Sequence, residues 1–213
     1  ASPVTTAIAF DLATGGTIAG RAVSVASGTV LENFVAGDGD DRITGNAADN
    51  RLLGGRGDDV LDGGAGRNRL EGGAGDDVLF ASGIDQLDGG EGYDTATWRN
   101  ATSGIVIDMA NQSRNAGAAA GDSLTGIEKI VGTAYGDEIH AGGGVLRIEA
   151  GGGNDVLHGD GVSGAVLSGE AGDDRFIGGA GGQVHDGGEG FDTVSFETAR
   201  SGVTVDFGDG SHN

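Results

Sequence analysis

Aspartate and glycine recur together at a nine-residue spacing, and that pairing can hold a hard cation. From Ala36 to Phe80 the chain reads AGDGDDRIT, GNAADNRLL, GGRGDDVLD, GGAGRNRLE and GGAGDDVLF in unbroken register. In the best copies glycine occupies positions two and four, aspartate position six and an aliphatic residue position eight. A carboxylate supplies the charged oxygen that Ca2+ prefers, and glycine lets the backbone curl until main-chain carbonyls face one point with no Cβ in the way. Position six alternates in chemistry. Turns that start at 36, 54, 72 and 89 carry Asp41, Asp59, Asp77 and Asp94, whereas those at 45, 63 and 81 carry Asn50, Asn68 and Asp85. A second run sharpens the contrast: turns from 132, 150, 169 and 187 carry Asp137, Asp155, Asp174 and Asp192, and the turns between them have Leu146, Gly164 with Ala165, and Gln183. A neutral amide or an aliphatic side chain cannot balance a divalent charge. Ions are therefore expected at the acidic turns and not at the neutral turns between them.

Strands must carry these turns. The three residues after each turn form an extended unit with one side chain inward, which predicts a narrow ladder of Ile43, Leu52, Leu61, Leu70 and Leu79. Such a core is thin. One aliphatic side chain per nine residues, at roughly 25 cal/mol per Å² of apolar area, cannot offset the ordering of nine backbones at about 1–2 kcal/mol each. A cation bound only by the folded form would close the gap.

A longer repeat frames the short one. GGEGYDTATWRNATSGIVIDM at 89–109 recurs as GGEGFDTVSFETARSGVTVDF at 187–207, and AIAFDL at 7–12 matches GIVIDM at 104–109. This predicts an all-β chain of two tandem rolls. The expected division is 1–35 as opening strands of the first unit, 36–97 as the first roll, 98–131 as linking strands that open the second unit, 132–195 as the second roll, and 196–213 as the start of a third unit. The third unit stops mid-pattern, so a fragment of a longer repetitive protein, or a mature domain with its flanks removed, is expected. Trp98 and its counterpart Phe196 read as residues that cap the rolls.

Composition narrows the function. Among 213 residues there are 33 Asp and Glu against 12 Lys and Arg, a net charge of −21, which disfavours nucleic acid and anionic membranes as partners. With 47 Gly and few aromatics, the metal-free chain is expected to be disordered. There is no Cys, hence neither a disulfide nor a thiolate metal site. Ser2–Ala9 is too short and polar for a secretory leader, and no apolar run is long enough to span a membrane. His140, His158, His185 and His212 are scattered singly and read as surface or strand-edge residues; no nucleophile or carboxylate pair marks a catalytic site. ATGGTIAG at 13–20 is similar to an asparaginase signature, but the partner motif of that family is absent, so Thr14 and Thr17 read as loop residues.

The nonapeptides resemble the hemolysin-type (RTX) calcium-binding repeats, across most of 36–97 and 132–195. The segment 32–64 is similar to the roll of secreted serralysin-type proteases, and DTATWRNATSGIVIDM to linking strands of long bacterial surface proteins. The resemblance implies a right-handed parallel β-roll whose turns alternate between two edges, with Ca2+ between successive turns of the acidic edge: three intervals per run and six strong sites in all, any site on the other edge being confined to the first run. Each ion would take carbonyls two and four and the aspartate of one turn, with carbonyls one and three and the aspartate of the next. By that rule Gly37, Gly39 and Asp41 face Gly54, Arg56 and Asp59; Gly55, Gly57 and Asp59 face Gly72, Ala74 and Asp77; and Gly73, Gly75 and Asp77 face Gly89, Glu91 and Asp94. In the second run Asp137 faces Ala150, Gly152 and Asp155; Gly151, Gly153 and Asp155 face Gly169, Ala171 and Asp174; and Gly172 and Asp174 face Gly187, Glu189 and Asp192. The resemblance also implies type I secretion from a Gram-negative bacterium, an extracellular location and folding on calcium outside the cell. It implies a monomeric, non-enzymatic structural or adhesive module, whose cell-surface or glycan partner the residues do not identify. The alternative is the C-terminal accessory region of a secreted protease, lipase or glycan epimerase with its catalytic domain upstream.

Overall fold

The computed structural model describes residues 7–18, 21–25, 30–142, 144–159, 162–178, 182–199 and 202. Among them the chain is all-β apart from one 3-10 turn at Gln112–Arg114. Short parallel strands stack into a β-solenoid, each coil advancing by 18 residues where the nonapeptides are regular.

Three sheets form the walls. A central eleven-stranded sheet contains Arg42–Thr44, Val60–Asp62, Val78–Phe80, Thr95–Thr97, Lys129–Val131, Arg147–Gly152, Val166–Ala171 and Val184–Glu189 as consecutive parallel neighbours. The first outer sheet holds Asn33–Asp38, Arg51–Arg56, Arg69–Ala74, Gln86–Glu91 and Ser123–Thr125. The second outer sheet holds Ile105–Asp108, Glu138–His140, Val156–His158, Arg175–Ile177 and Thr193–Ser195, with Ala116–Gly117 at its margin.

Each wall contributes one row of inward side chains, because position eight of the repeat is the middle of an extended triplet. The predicted single ladder is thus two facing rows. Ile43, Leu61 and Leu79 line the central sheet, and Leu52 and Leu70 line the first outer sheet, all fully buried. The rows continue through Ala96, Ile130, Ile148 and Leu167 on one side and Ile139, Leu157 and Phe176 on the other, within one core cluster.

The two rolls share the central sheet. Thr95–Thr97 pairs with Lys129–Val131, so the first roll runs into the second without a break in that wall. Residues 98–131 supply strands to all three sheets: Ile105–Asp108 begins the second outer sheet, Ser123–Thr125 finishes the first, and Lys129–Val131 extends the central one. Trp98 is fully buried at this junction, and its Nε1 donates to Asp122 Oδ2 at 3.0 Å. Phe196 packs edge-on against His185, 6.2 Å between centroids. Thr14 lies in a turn as expected, but Thr17 belongs to strand Gly15–Ile18, which pairs antiparallel with Ala9–Asp11.

Candidate metal centre

The position-six aspartates form two hydrogen-bonded columns. In the first roll the N–H of Asp41 donates to Asp59 Oδ1 at 2.7 Å, that of Asp59 to Asp77 at 2.7 Å, and that of Asp77 to Asp94 at 2.9 Å. The second column runs from Asp137 to Asp155 (2.7 Å), Asp174 (2.9 Å) and Asp192 (3.0 Å). Both begin alike, at the start of an opening strand: Ile8, just before Ala9–Asp11, donates its N–H to Asp41 at 2.6 Å, and Ile105, first residue of Ile105–Asp108, donates to Asp137 at 2.8 Å. The first column ends on Glu128, whose Oε2 accepts from Asp94 N at 2.9 Å.

Only one oxygen of each carboxylate is spent in this way. Oδ2 of Asp41, Asp59, Asp77, Asp94, Asp155 and Asp174 is buried without a hydrogen-bond donor. Leaving a buried anionic oxygen unpartnered costs several kcal/mol, about what a cation would recover. The surroundings are oxygen-lined. A Cβ at Gly54 would lie 2.1 Å from Asp59 Oδ2 and 2.7 Å from the carbonyl oxygen of Gly72, so aspartate and next-turn carbonyl converge in a hollow that only glycine leaves open. Gly72 relates to Asp77 and Gly89, and Gly169 to Asp174 and Gly187, in the same manner. At positions two and four, Gly55 and Gly57 have φ of 125° and 113°, and Gly73 and Gly75 have 124° and 136°, values that side chains rarely adopt. Glu170 sits at position two with φ 72°, the one non-glycine there among the described residues with positive φ.

The electrostatics match. Burial, reinforced by the neighbouring carboxylates of the column, pushes Asp59 up to about 6 and Asp77 and Asp155 to about 7. Asp41, Asp94, Asp137 and Asp174 are raised by burial as well. A hard oxygen set carrying this much unbalanced negative charge fits Ca2+, with its flexible six to eight ligands.

The other edge is self-sufficient. Asn68 Nδ2 donates to Gly64 O at 3.1 Å and to Asp85 Oδ1 at 2.9 Å, and Asn50 Nδ2 reaches Leu31 O at 3.3 Å. Gln183 Nε2 donates to Gly159 O at 2.9 Å and Val162 O at 2.8 Å. An amide N–H thus faces main-chain carbonyls along this edge. Asp85 has both oxygens occupied, by Ser82 N–H and by Asn68. Leu146 lies 46 % exposed, and Val145 fills the core in its place.

Three features escaped the reading of the sequence. First, Asp137 is already satisfied: Thr133 N–H donates to its Oδ2 at 2.8 Å and Thr133 Oγ1 to its Oδ1 at 3.0 Å, so it offers no orphan oxygen. Threonine in place of the usual glycine at position two was the available signal. Second, position five builds an exposed column in the opposite sense. Asp40 accepts from Asp58 N (3.0 Å), Asp58 from Asp76 N (2.8 Å) and Asp76 from Tyr93 N (2.8 Å), while Asn154 accepts from Asp173 N (3.0 Å). The doubled Asp in GDD carries that signal. Third, the acidic edge changes sides. In the first roll the acidic turns precede central-sheet strands, such as 54–59 before Val60–Asp62. In the second they follow them, as 132–137 follows Lys129–Val131. Since those strands are parallel, the two columns lie on opposite edges of the central sheet. The short corner 126–128, in place of a full turn, shifts the alternation by one.

The histidines divide. His185 is half-buried near the start of its strand and faces the inward row, paired with Leu167 and edge-on to Phe176 at 5.4 Å, because it stands at position eight of its turn. Burial lowers its pKa. His140 and His158 lie at strand ends on the outer face as expected, but they stack on each other. His212 falls outside the described residues.

No helix among the described residues is long and apolar enough to cross a membrane. No curated protein sequence matches the chain. The family model of the RTX calcium-binding nonapeptide repeat matches at residues 32–61, 53–83, 62–96, 122–145, 147–163 and 160–194, more than half of the chain. The parallel coils, glycine hollows and buried aspartate columns lie within these matched residues, and the chain belongs to the RTX calcium-binding nonapeptide-repeat family.

Proposed function

We propose that this chain is a structural or adhesive module of a secreted bacterial protein that remains unfolded in the low calcium of the cytoplasm and folds on calcium outside, after type I export. The observation that carries the reading is the set of buried aspartate oxygens without donors, confined to the acidic edge of each roll. Ca2+ between turns 54–59 and 72–77 would be held by the carbonyls of Gly55, Gly57, Gly72 and Ala74 with Asp59 and Asp77, and the neighbouring intervals follow the same rule. The four orphan-bearing aspartates of the first roll bound three intervals, whereas the two of the second, Asp155 and Asp174, bound one. Asp94 faces the corner 126–128, where a Cβ at Gly89 would lie 2.0 Å from Gly126 O, so this end is a candidate additional position. The interval between 132–137 and 150–155 is the weakest, since Thr133 occupies Asp137.

The test is a calcium titration of the EDTA-treated chain by circular dichroism. The expected outcome is a cooperative gain of β-type signal at millimolar calcium, the range of extracellular modules. Mg2+ should act poorly, because it dehydrates reluctantly and demands octahedral geometry. A fully folded metal-free protein at neutral pH would refute the reading.

A further inference from the structure

We propose a second metal site of different chemistry on the outside of the second outer sheet, where Glu138, His140 and His158 form a seat for a first-row transition cation such as Zn2+ or Ni2+. The fold creates it from two sequence positions that are far apart. Glu138–His140 and Val156–His158 are adjacent parallel strands with His140 paired to His158 in register. Ile139 and Leu157 point into the core, so the flanking side chains point out by the period of a strand. The imidazoles stack with centroids 3.7 Å apart and planes 13° from parallel. Glu138 Oε1 lies 2.8 Å from His140 Nε2 and 4.0 Å from His158 Nε2, and one donor atom from each residue falls within 4.8 Å of the other two.

Three donors around a tetrahedral zinc, with Zn–N of about 2.0–2.1 Å, stand roughly 3.3 Å from one another. The present donor atoms lie within 4.8 Å of one another, and the imidazoles must open out of their stack for both in-plane lone pairs to meet one ion. The side chains are 45 %, 22 % and 20 % exposed for Glu138, His140 and His158, seated on the sheet yet open on one side. Two imidazoles and one carboxylate suit zinc, nickel or copper and not calcium, whose ligands are oxygens. The fourth coordination position is left to water or an external ligand. Asp108 is next in register beyond His140 but is engaged elsewhere, by Arg114 Nη1 at 3.0 Å and by the N–H groups of Ala110 and Asn111. The site also has a structural consequence. It would clamp the two coils whose calcium interval is the weakest, because these strands follow turns 132–137 and 150–155, and Thr133 already occupies Asp137.

The full chain, folded in saturating calcium, is titrated with Zn2+ by calorimetry and with Co2+ by visible absorption, and the dichroism of each variant in calcium confirms its fold. One Zn2+ per chain is expected, undiminished by excess calcium, with a Co2+ spectrum of low coordination number. His140→Gln and His158→Gln should each weaken binding about tenfold or more, and Glu138→Gln less; outer-face substitutions of this kind leave the core rows intact. His212→Ala should leave binding unchanged. Absence of saturable Zn2+ uptake, an affinity in both histidine variants unchanged from that of the native chain, or loss of binding in His212→Ala would overturn the proposal and leave a stacked imidazole pair bonded to Glu138.

Discussion

Asp59 and Asn68 occupy the same position of consecutive turns, both buried and both accepting an N–H from the previous coil 18 residues earlier, yet they end in opposite states. The asparagine supplies its own donor to Gly64 O and so completes its turn. The aspartate has no proton to give at neutral pH and keeps one buried oxygen bare. An exchange of oxygen for NH2 thus separates a turn that is finished by the chain itself from one that keeps a buried carboxylate oxygen without a donor.

Removing calcium should break this comparison most severely. In EDTA at pH 7 the neutral edge retains its bonds, but the acidic columns become stacks of buried charge, and loss of the whole β-type spectrum is expected, not of one edge alone. Persistent coils along the neutral edge in hydrogen exchange would show the edges to be independent. Single substitutions come next. Asp59→Ala should raise the calcium midpoint of folding about tenfold, equivalent to about 1.4 kcal/mol, whereas Asn68→Ala should destabilise by about 1 kcal/mol through its lost hydrogen bonds with little change in that midpoint. Asp59→Asn sharpens the contrast: it should lower the bound calcium count and partly restore metal-free folding, as measured by calorimetry and dichroism.

A smaller effect is expected from pH. Asp59 at about 6 and Asp77 and Asp155 at about 7 lie above their ordinary value of 3.8. The folded, metal-free form therefore binds protons more tightly than the unfolded form, and its stability is fully present below pH 3.8 and lost as pH rises to about 7. Metal-free protein should gain β structure on acidification through that window, and the calcium midpoint should rise as protons compete for Oδ2. A calcium midpoint independent of pH between 5 and 7, an interval chosen from these roughly 6 to 7 values, would contradict the cause assigned to the shifts. The smallest change separates glycines. Gly54→Ala would place a methyl against Asp59 Oδ2 and should impair calcium folding, while nothing lies within 4 Å of a Cβ at Gly37, so Gly37→Ala should be nearly silent in the same titration.

The nonapeptide pattern alone determined the coil, the inward residue of each triplet and the carboxylate at position six, because a short turn with fixed glycines specifies its own conformation and stacks on copies of itself. Ile43, Asp59 and Gly57 could be placed from their own nine residues. What lay between different coils was not legible in this way. That Thr133 would spend Asp137, that Glu128 would end the first column, that His185 would face inward beside Phe176, and that His140 would stack on His158 all depend on which coil comes next. The change of acidic edge depends on the short corner 126–128, whose effect appears only when the parallel central sheet fixes the direction of every strand. Local turn chemistry is written within each repeat, whereas pairing across repeats is settled by a sheet that sums small steps along its whole length.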